Sequence, residues 1–114
     1  MTGQTTSPVP ENAARRVALV RTDHASRYLQ QLCKHFAHKL PVEFDPERGL
    51  IRFAMGDCRL KAEDGGLRLE IEAPNPDDIE RLGNVVANHL IRFAFREEMQ
   101  VEWKQAGSAI ATGE

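Results

Sequence analysis

The chain has 114 residues, 41% of them hydrophobic and 28% charged, with a formal net charge of -2. That length suits one domain around one core, and the near-neutral balance excludes a general nucleic-acid binder, which would carry a strongly basic face. No apolar run approaches the ~20 residues that span a bilayer.

Residues 1–14 are rich in Thr, Ser, Pro and Gly and carry no period, so they read as a disordered lead. They lack the charged and apolar regions of a secretory signal. Residues 105–114 read as a flexible tail, which leaves 15–104 as a single domain. Cys33 and Cys58 both fall at inward positions, as expected of free thiols in a cytoplasmic protein.

The β-branched segment 16–21 (RVALVR) predicts a first strand. A helix is expected over 22–40, because Ala25, Leu29, Leu32, Cys33, Phe36 and Leu40 recur at helical spacing, with Tyr28 and Ala37 at the margins. Thr22 or Asp23 would cap it, and Pro41 would end it. Four short segments of period 2 follow. Val42 and Phe44 share a face, then Ile51, Phe53 and Met55 after a loop over 45–49. Cys58, Leu60 and Ala62 come next, then Leu67, Leu69 and Ile71, each alternating with charged residues. Gly56 with Asp57 suggests a two-residue turn, and Asp64-Gly65-Gly66 a hairpin that needs positive φ. Alternation of this kind predicts an antiparallel meander with one dry face and one charged face. On the charged face stand Arg52, Arg59, Lys61, Arg68, Glu70 and Glu102, either solvated or covered by a partner.

A second helix opens at Asn75, with Pro76 at its first position and Asp77 and Asp78 favouring the positive end of the dipole. Its stripe is Ile79, Leu82, Val86, Leu90 and Phe93, with Gly83 on the same side and His89 at the margin; it should finish near Arg96. Met99, Val101 and Trp103 then alternate as a last strand. The order β-α-β-β-β-β-α-β implies an α+β two-layer sandwich, two helices on one face of an antiparallel sheet.

Two stretches and one strand carry a resemblance. They are Ser26-Arg27-Tyr28-Leu29-Gln30-Gln31-Leu32-Cys33-Lys34-His35-Phe36-Ala37-His38-Lys39, the run His89-Leu90-Ile91-Arg92-Phe93-Ala94-Phe95-Arg96-Glu97-Glu98 with Val101 and Trp103, and Val42-Glu43-Phe44. Over roughly 15–104 the chain resembles the bacterial family Domain of Unknown Function 2218. The resemblance implies no catalytic residue and no cofactor. It also implies an association with siderophore-interacting flavoproteins, through fusion or gene neighbourhood.

Candidate chemistry is sparse. G-x-S-x-G, H-E-x-x-H, a P-loop and G-x-G-x-x-G are all missing, so no catalytic residue and no cofactor is assigned. His35 and His38, three apart on one helix, could hold a metal with His89 or Glu97. Lys34 and Lys39 oppose a bound cation, and basic side chains near a helix C-terminus are ordinary surface residues. Arg27, Lys34 and His38 form a basic strip that Arg92 and Arg96 would extend into an anion site, with guanidinium groups suited to carboxylate or phosphate. Glu97 and Glu98 compete by pairing with those arginines. Phe93 and Trp103 read as core, Phe95 as an interface residue. Cys33 and Cys58 could meet across the layers, but apolar burial dulls a thiol.

The residues therefore lead to a non-enzymatic binding or accessory domain. It would self-associate or dock a protein through the sheet's polar face or Phe95, and take an anionic small molecule at the basic strip. The alternative is a metal-binding protein or metal-dependent enzyme built on His35, His38 and His89. A purely structural domain is the third reading.

Overall fold

The computed structural model describes residues 14–94, 96–97 and 99–105; Phe95 and Glu98, the lead over 1–13 and the tail over 106–114 lie outside them. Strand β1 (Ala14–Arg21) begins two residues earlier than expected and leads into α1 (Ala25–Ala37). That helix is shorter at both ends than the sequence suggests. Thr22 does not cap it: its Oγ1 accepts from the His24 amide at 3.0 Å, and His24 occupies the cap position without a side-chain bond. At the other end the Lys39 and Leu40 amides turn back onto the Phe36 carbonyl at 3.0 and 2.8 Å, closing the helix before Pro41. Leu29, Leu32 and Cys33 are fully buried, and Tyr28 belongs to the core rather than the margin, while Ala37 is exposed.

The meander is β2 (Val42–Phe44), β3 (Arg48–Phe53), β4 (Gly56–Glu63) and β5 (Gly66–Ala73). Two of its turns differ from expectation. Residues 54–55 make the β3–β4 turn, and Gly56 and Asp57 instead pair with Phe53 and Arg52. Arg48 and Gly49, expected in a loop, open β3 and carry Gly49 opposite Phe44. The β4–β5 turn is as anticipated, with Gly65 at φ 77° in the left-handed region that favours glycine.

Helix α2 (Pro76–Phe93) starts where the sequence places it, Asn75 Oδ1 accepting from the Asp78 amide at 2.9 Å, and stops three residues before Arg96. Ile79, Leu82, Val86 and Leu90 are buried, with Phe93 half-buried beside them. Strand β6 is only Lys104–Gln105, pairing with Val17 and Arg16. Met99, Val101 and Trp103 still pack against the core, so their alternation marked an inward face but not a ladder. Gly83 makes room for Trp103: a Cβ there would lie 3.0 Å from the indole Nε1.

The sheet runs β2-β3-β4-β5-β1-β6, every pair antiparallel. Both helices lie on one face, joined by the Phe36 and His89 rings at 4.9 Å. Inward side chains Val20, Ile51, Cys58, Leu60, Leu67, Leu69 and Ile71 meet them in the core. The opposite face has no covering layer among the described residues. No helix among these residues is long and apolar enough to cross a membrane.

Candidate functional site

Arg27, Lys34 and His38 of the expected basic strip are all exposed along α1 and its C-cap, and a different polar cluster stands at each end of the helix layer. At the start of α1, Glu97 Oε2 accepts from the Tyr28 hydroxyl at 2.5 Å and from the Thr22 hydroxyl at 3.2 Å. The Tyr28 bond, helped by Thr22, His24 and Arg27, holds the Glu97 carboxyl below its ordinary range, and the same bond raises Tyr28. Arg27 belongs to this end. His38 lies eleven residues away, about 16 Å along the axis, at the end where His35, His89 and Arg92 gather.

There the His35 ring packs on His89 at 5.1 Å, on Phe36 at 4.9 Å and on Phe93 at 5.6 Å. Desolvation against these rings, then the charges of His89, His38, Lys39 and Arg92, push the His35 pKa down. His89 donates from Nδ1 to the Val85 carbonyl at 2.7 Å, since a carbonyl can only accept. Two of the three histidines of the metal alternative, His35 and His89, thus pack together, with His38 at the same end of α1. Among the described residues no three His, Cys, Asp or Glu side chains are grouped as a metal centre requires. Cys33 and Cys58 are both free and buried, and burial raises both thiols, Cys33 to about 12. Both pack in the core, where burial leaves little thiolate for nucleophilic attack.

Glu97 and His35 give the fold a defined acid response. A carboxyl held low stabilises the fold above its ordinary value of 4.5, and that contribution is lost as pH falls through the folded value. A histidine held low takes up its proton more readily unfolded, so stability falls as pH drops below 6.5 toward the folded value. Melting temperature should therefore decline in two stages on acidification. His35→Asn should remove the stage below pH 6.5 and Glu97→Gln should weaken the lower one, to which Asp45 also contributes; a parent curve flat from pH 7 to 5 would contradict the His35 assignment.

The open sheet face carries a more organised arrangement. Register places Arg48 opposite Lys61, Lys61 opposite Arg68, and Arg68 opposite Leu19, in one line across four strands. The adjacent line is Glu43, Leu50, Arg59, Glu70 and Val17. The next is Arg52, Asp57, Glu72 and Arg15, where charges of opposite sign stand in the middle and at the ends. Ion pairs join Arg15 to Glu70 at 3.5 Å, Arg59 to Glu72 at 3.8 Å and Arg68 to Glu70 at 3.9 Å. Arg48 and Lys61 form no salt bridge among the described residues. Nearby, Asp45 Oδ1 accepts from the Glu47 and Arg48 amides at 2.8 and 2.9 Å, bonds that lower its pKa.

Like charges directly opposite on neighbouring strands destabilise a sheet. In the Arg48–Lys61–Arg68 line Glu70 beside Arg68 and Asp45 near Arg48 offset part of that repulsion, and Lys61 in the middle has no such partner among the described residues. These residues line an open concavity of about 670 Å³, with Glu43, Asp45, Leu50, Arg59 and Glu70 around them. That volume falls in the range of small-molecule sites. Arg59, Lys61 and Arg68 were legible as a charged face; Arg48 was not, because its segment reads as a loop.

Comparison with known proteins agrees with this architecture. The family described as "Uncharacterized protein conserved in bacteria (DUF2218)" matches residues 17–104. The protein PA4090 from Pseudomonas aeruginosa, solved by NMR, is 40% identical over 80% of this chain and 95% of that one, with a TM-score of 0.68. A search of the curated proteins finds no match.

Proposed function

The chain belongs to the bacterial family DUF2218, and from the face its sheet leaves uncovered we propose that it is a non-catalytic binding domain for an anionic small molecule. The ligand sits in the concavity of β3, β4 and β5, not on the helix strip. One observation carries the reading: Arg48, Lys61 and Arg68 stand side by side without a carboxylate in their line. Guanidinium and ammonium groups so placed are stabilised by an anion that lies across them. Siderophore-type acids and their iron chelates fall within this class, and two free buried thiols suit a cytoplasmic setting. The same face could be completed by a second copy of the chain, which the anion would then displace or bridge.

Lys61→Glu separates this role from ordinary surface charge. A carboxylate between Arg48 and Arg68 turns two repulsive neighbours into attractive ones. It should raise stability by about 0.5–1 kcal/mol, or roughly 2–8 °C in melting temperature for a domain this size. In the parent protein, millimolar citrate or pyrophosphate at fixed ionic strength should raise the melting temperature; in the variant that rise should vanish. No rise in the parent, or an equal rise in both proteins, would remove the reading.

A further inference from the structure

The geometry of the line points to a ligand class. We infer that the site selects a compact anion with three charged groups, a trianion in the sense of three carboxylate or phosphoryl groups on one small molecule whatever their net charge, with one group for each of Arg48, Lys61 and Arg68. This rests on the reading that the open sheet face is the binding surface.

Neighbouring strands are about 4.8 Å apart, so three registered residues on β3, β4 and β5 present their charges over roughly 10 Å. The arginines stand at the two ends, where planar forks can each grip two oxygens of one group. Lys61, a point charge with three donors, stands between them. A single oxyanion can meet only part of this line. A dianion reaches two neighbours and leaves the third repelled.

The surroundings limit the ligand's length. Beyond Arg48 lie Glu43 and Asp45, and Glu70 sits one line away, already bonded to Arg15 and Arg68. A long polyanion threading across the sheet would run into these carboxylates. At the far end the line stops at Leu19, 56% exposed and apolar, which offers no further cation. Both boundaries favour a short molecule over a nucleic acid or an extended acidic peptide.

Calorimetric titration of the full chain at constant ionic strength tests this. The probes are succinate and pyrophosphate with fewer anionic groups, tricarballylate and tripolyphosphate with three or more, and a polyglutamate peptide. Each trianion should bind about three- to tenfold tighter than its smaller relative, the range expected for one added charge-assisted contact. The tighter of the two trianions identifies the carboxylate or the phosphoryl source. Arg48→Gln, which removes a cation that holds no salt bridge among the described residues, should erase this advantage, so that within the variant tricarballylate binds no tighter than succinate and tripolyphosphate no tighter than pyrophosphate.

Smaller and larger anions binding alike, or an advantage that survives Arg48→Gln, would overturn the trianion assignment while leaving an anion site in place. Polyglutamate binding tighter than either trianion would overturn it in favour of an acidic protein partner. Binding by none of the probes would instead remove the underlying reading of the sheet face.

Discussion

Gly56→Ala should be the most damaging single-methyl change among the described glycines, lowering stability by about 3 kcal/mol or more. Gly56 begins β4, opposite Phe53, where the end of the β3–β4 hairpin packs against β5 and α2. A Cβ there would meet the Glu72 carbonyl oxygen at 2.2 Å, the Ala73 Cα at 3.1 Å and Leu82 Cδ2 at 3.0 Å. Two of these are backbone atoms of β5, Glu72 paired with β4 and Ala73 with β1, and the third belongs to a fully buried side chain. None can withdraw without moving a strand or a helix. Roughly 4–8 °C of melting temperature per kcal/mol for a domain of this size makes the effect plain in a thermal scan. Gly49→Ala is the control. Its Cβ would meet the Cys33 Sγ at 2.6 Å, with Phe44 Cβ at 3.4 Å and Leu29 Cδ2 at 3.5 Å; all three are side-chain atoms and a χ1 rotation can displace the sulfur, so the loss should be smaller. Equal losses would show that the Gly56 neighbours can yield.

Leu69→Ala should cost about 2–5 kcal/mol, the range for emptying a leucine from a packed core. Leu69 is 0% exposed and lies in β5, the strand in the middle of the sheet, between Leu60 of β4 and Ala18 of β1. Chemical denaturation should show a lower midpoint with an unchanged slope, since the same surface is exposed on unfolding. The site should survive this loss. Arg68 and Glu70 flank Leu69 but point to the other face, and their register is fixed by the ladder rather than by the leucine. Below the transition, citrate affinity should match that of the parent. A loss of affinity in a protein that still unfolds cooperatively would mean that the open face depends on core packing.

The helix layer was largely legible. The spacing of Leu29, Leu32 and Cys33, and of Ile79, Leu82, Val86 and Leu90, identified the buried stripes, because a period near 3.6 is satisfied only by a helix with one dry side. The Asn75 cap was legible too, since the side chain, the proline and the acidic turn act within a few residues of one another. The turn at Gly56 was misread for a physical reason. A glycine beside an aspartate usually marks a reversal, yet here the missing Cβ serves close approach to Glu72 and Ala73. The last strand was over-read because alternation reports which side chains face inward, not whether the backbone pairs. The His35 ring meets that of His89, a contact between two helices that depends on how they cross.

Local chemistry in the chain determined the two amphipathic helices, the alternating strands, and hence a sandwich with a greasy layer and a charged outer face. What stood beside what on that face was decided only by the folded sheet. Arg48, Lys61 and Arg68 are separated by a hairpin at each step, and they align because the turns at 54–55 and 64–65 fix the register. A shift of one residue in either ladder would send a cation to the buried side, so their grouping follows from turn geometry and core packing acting together.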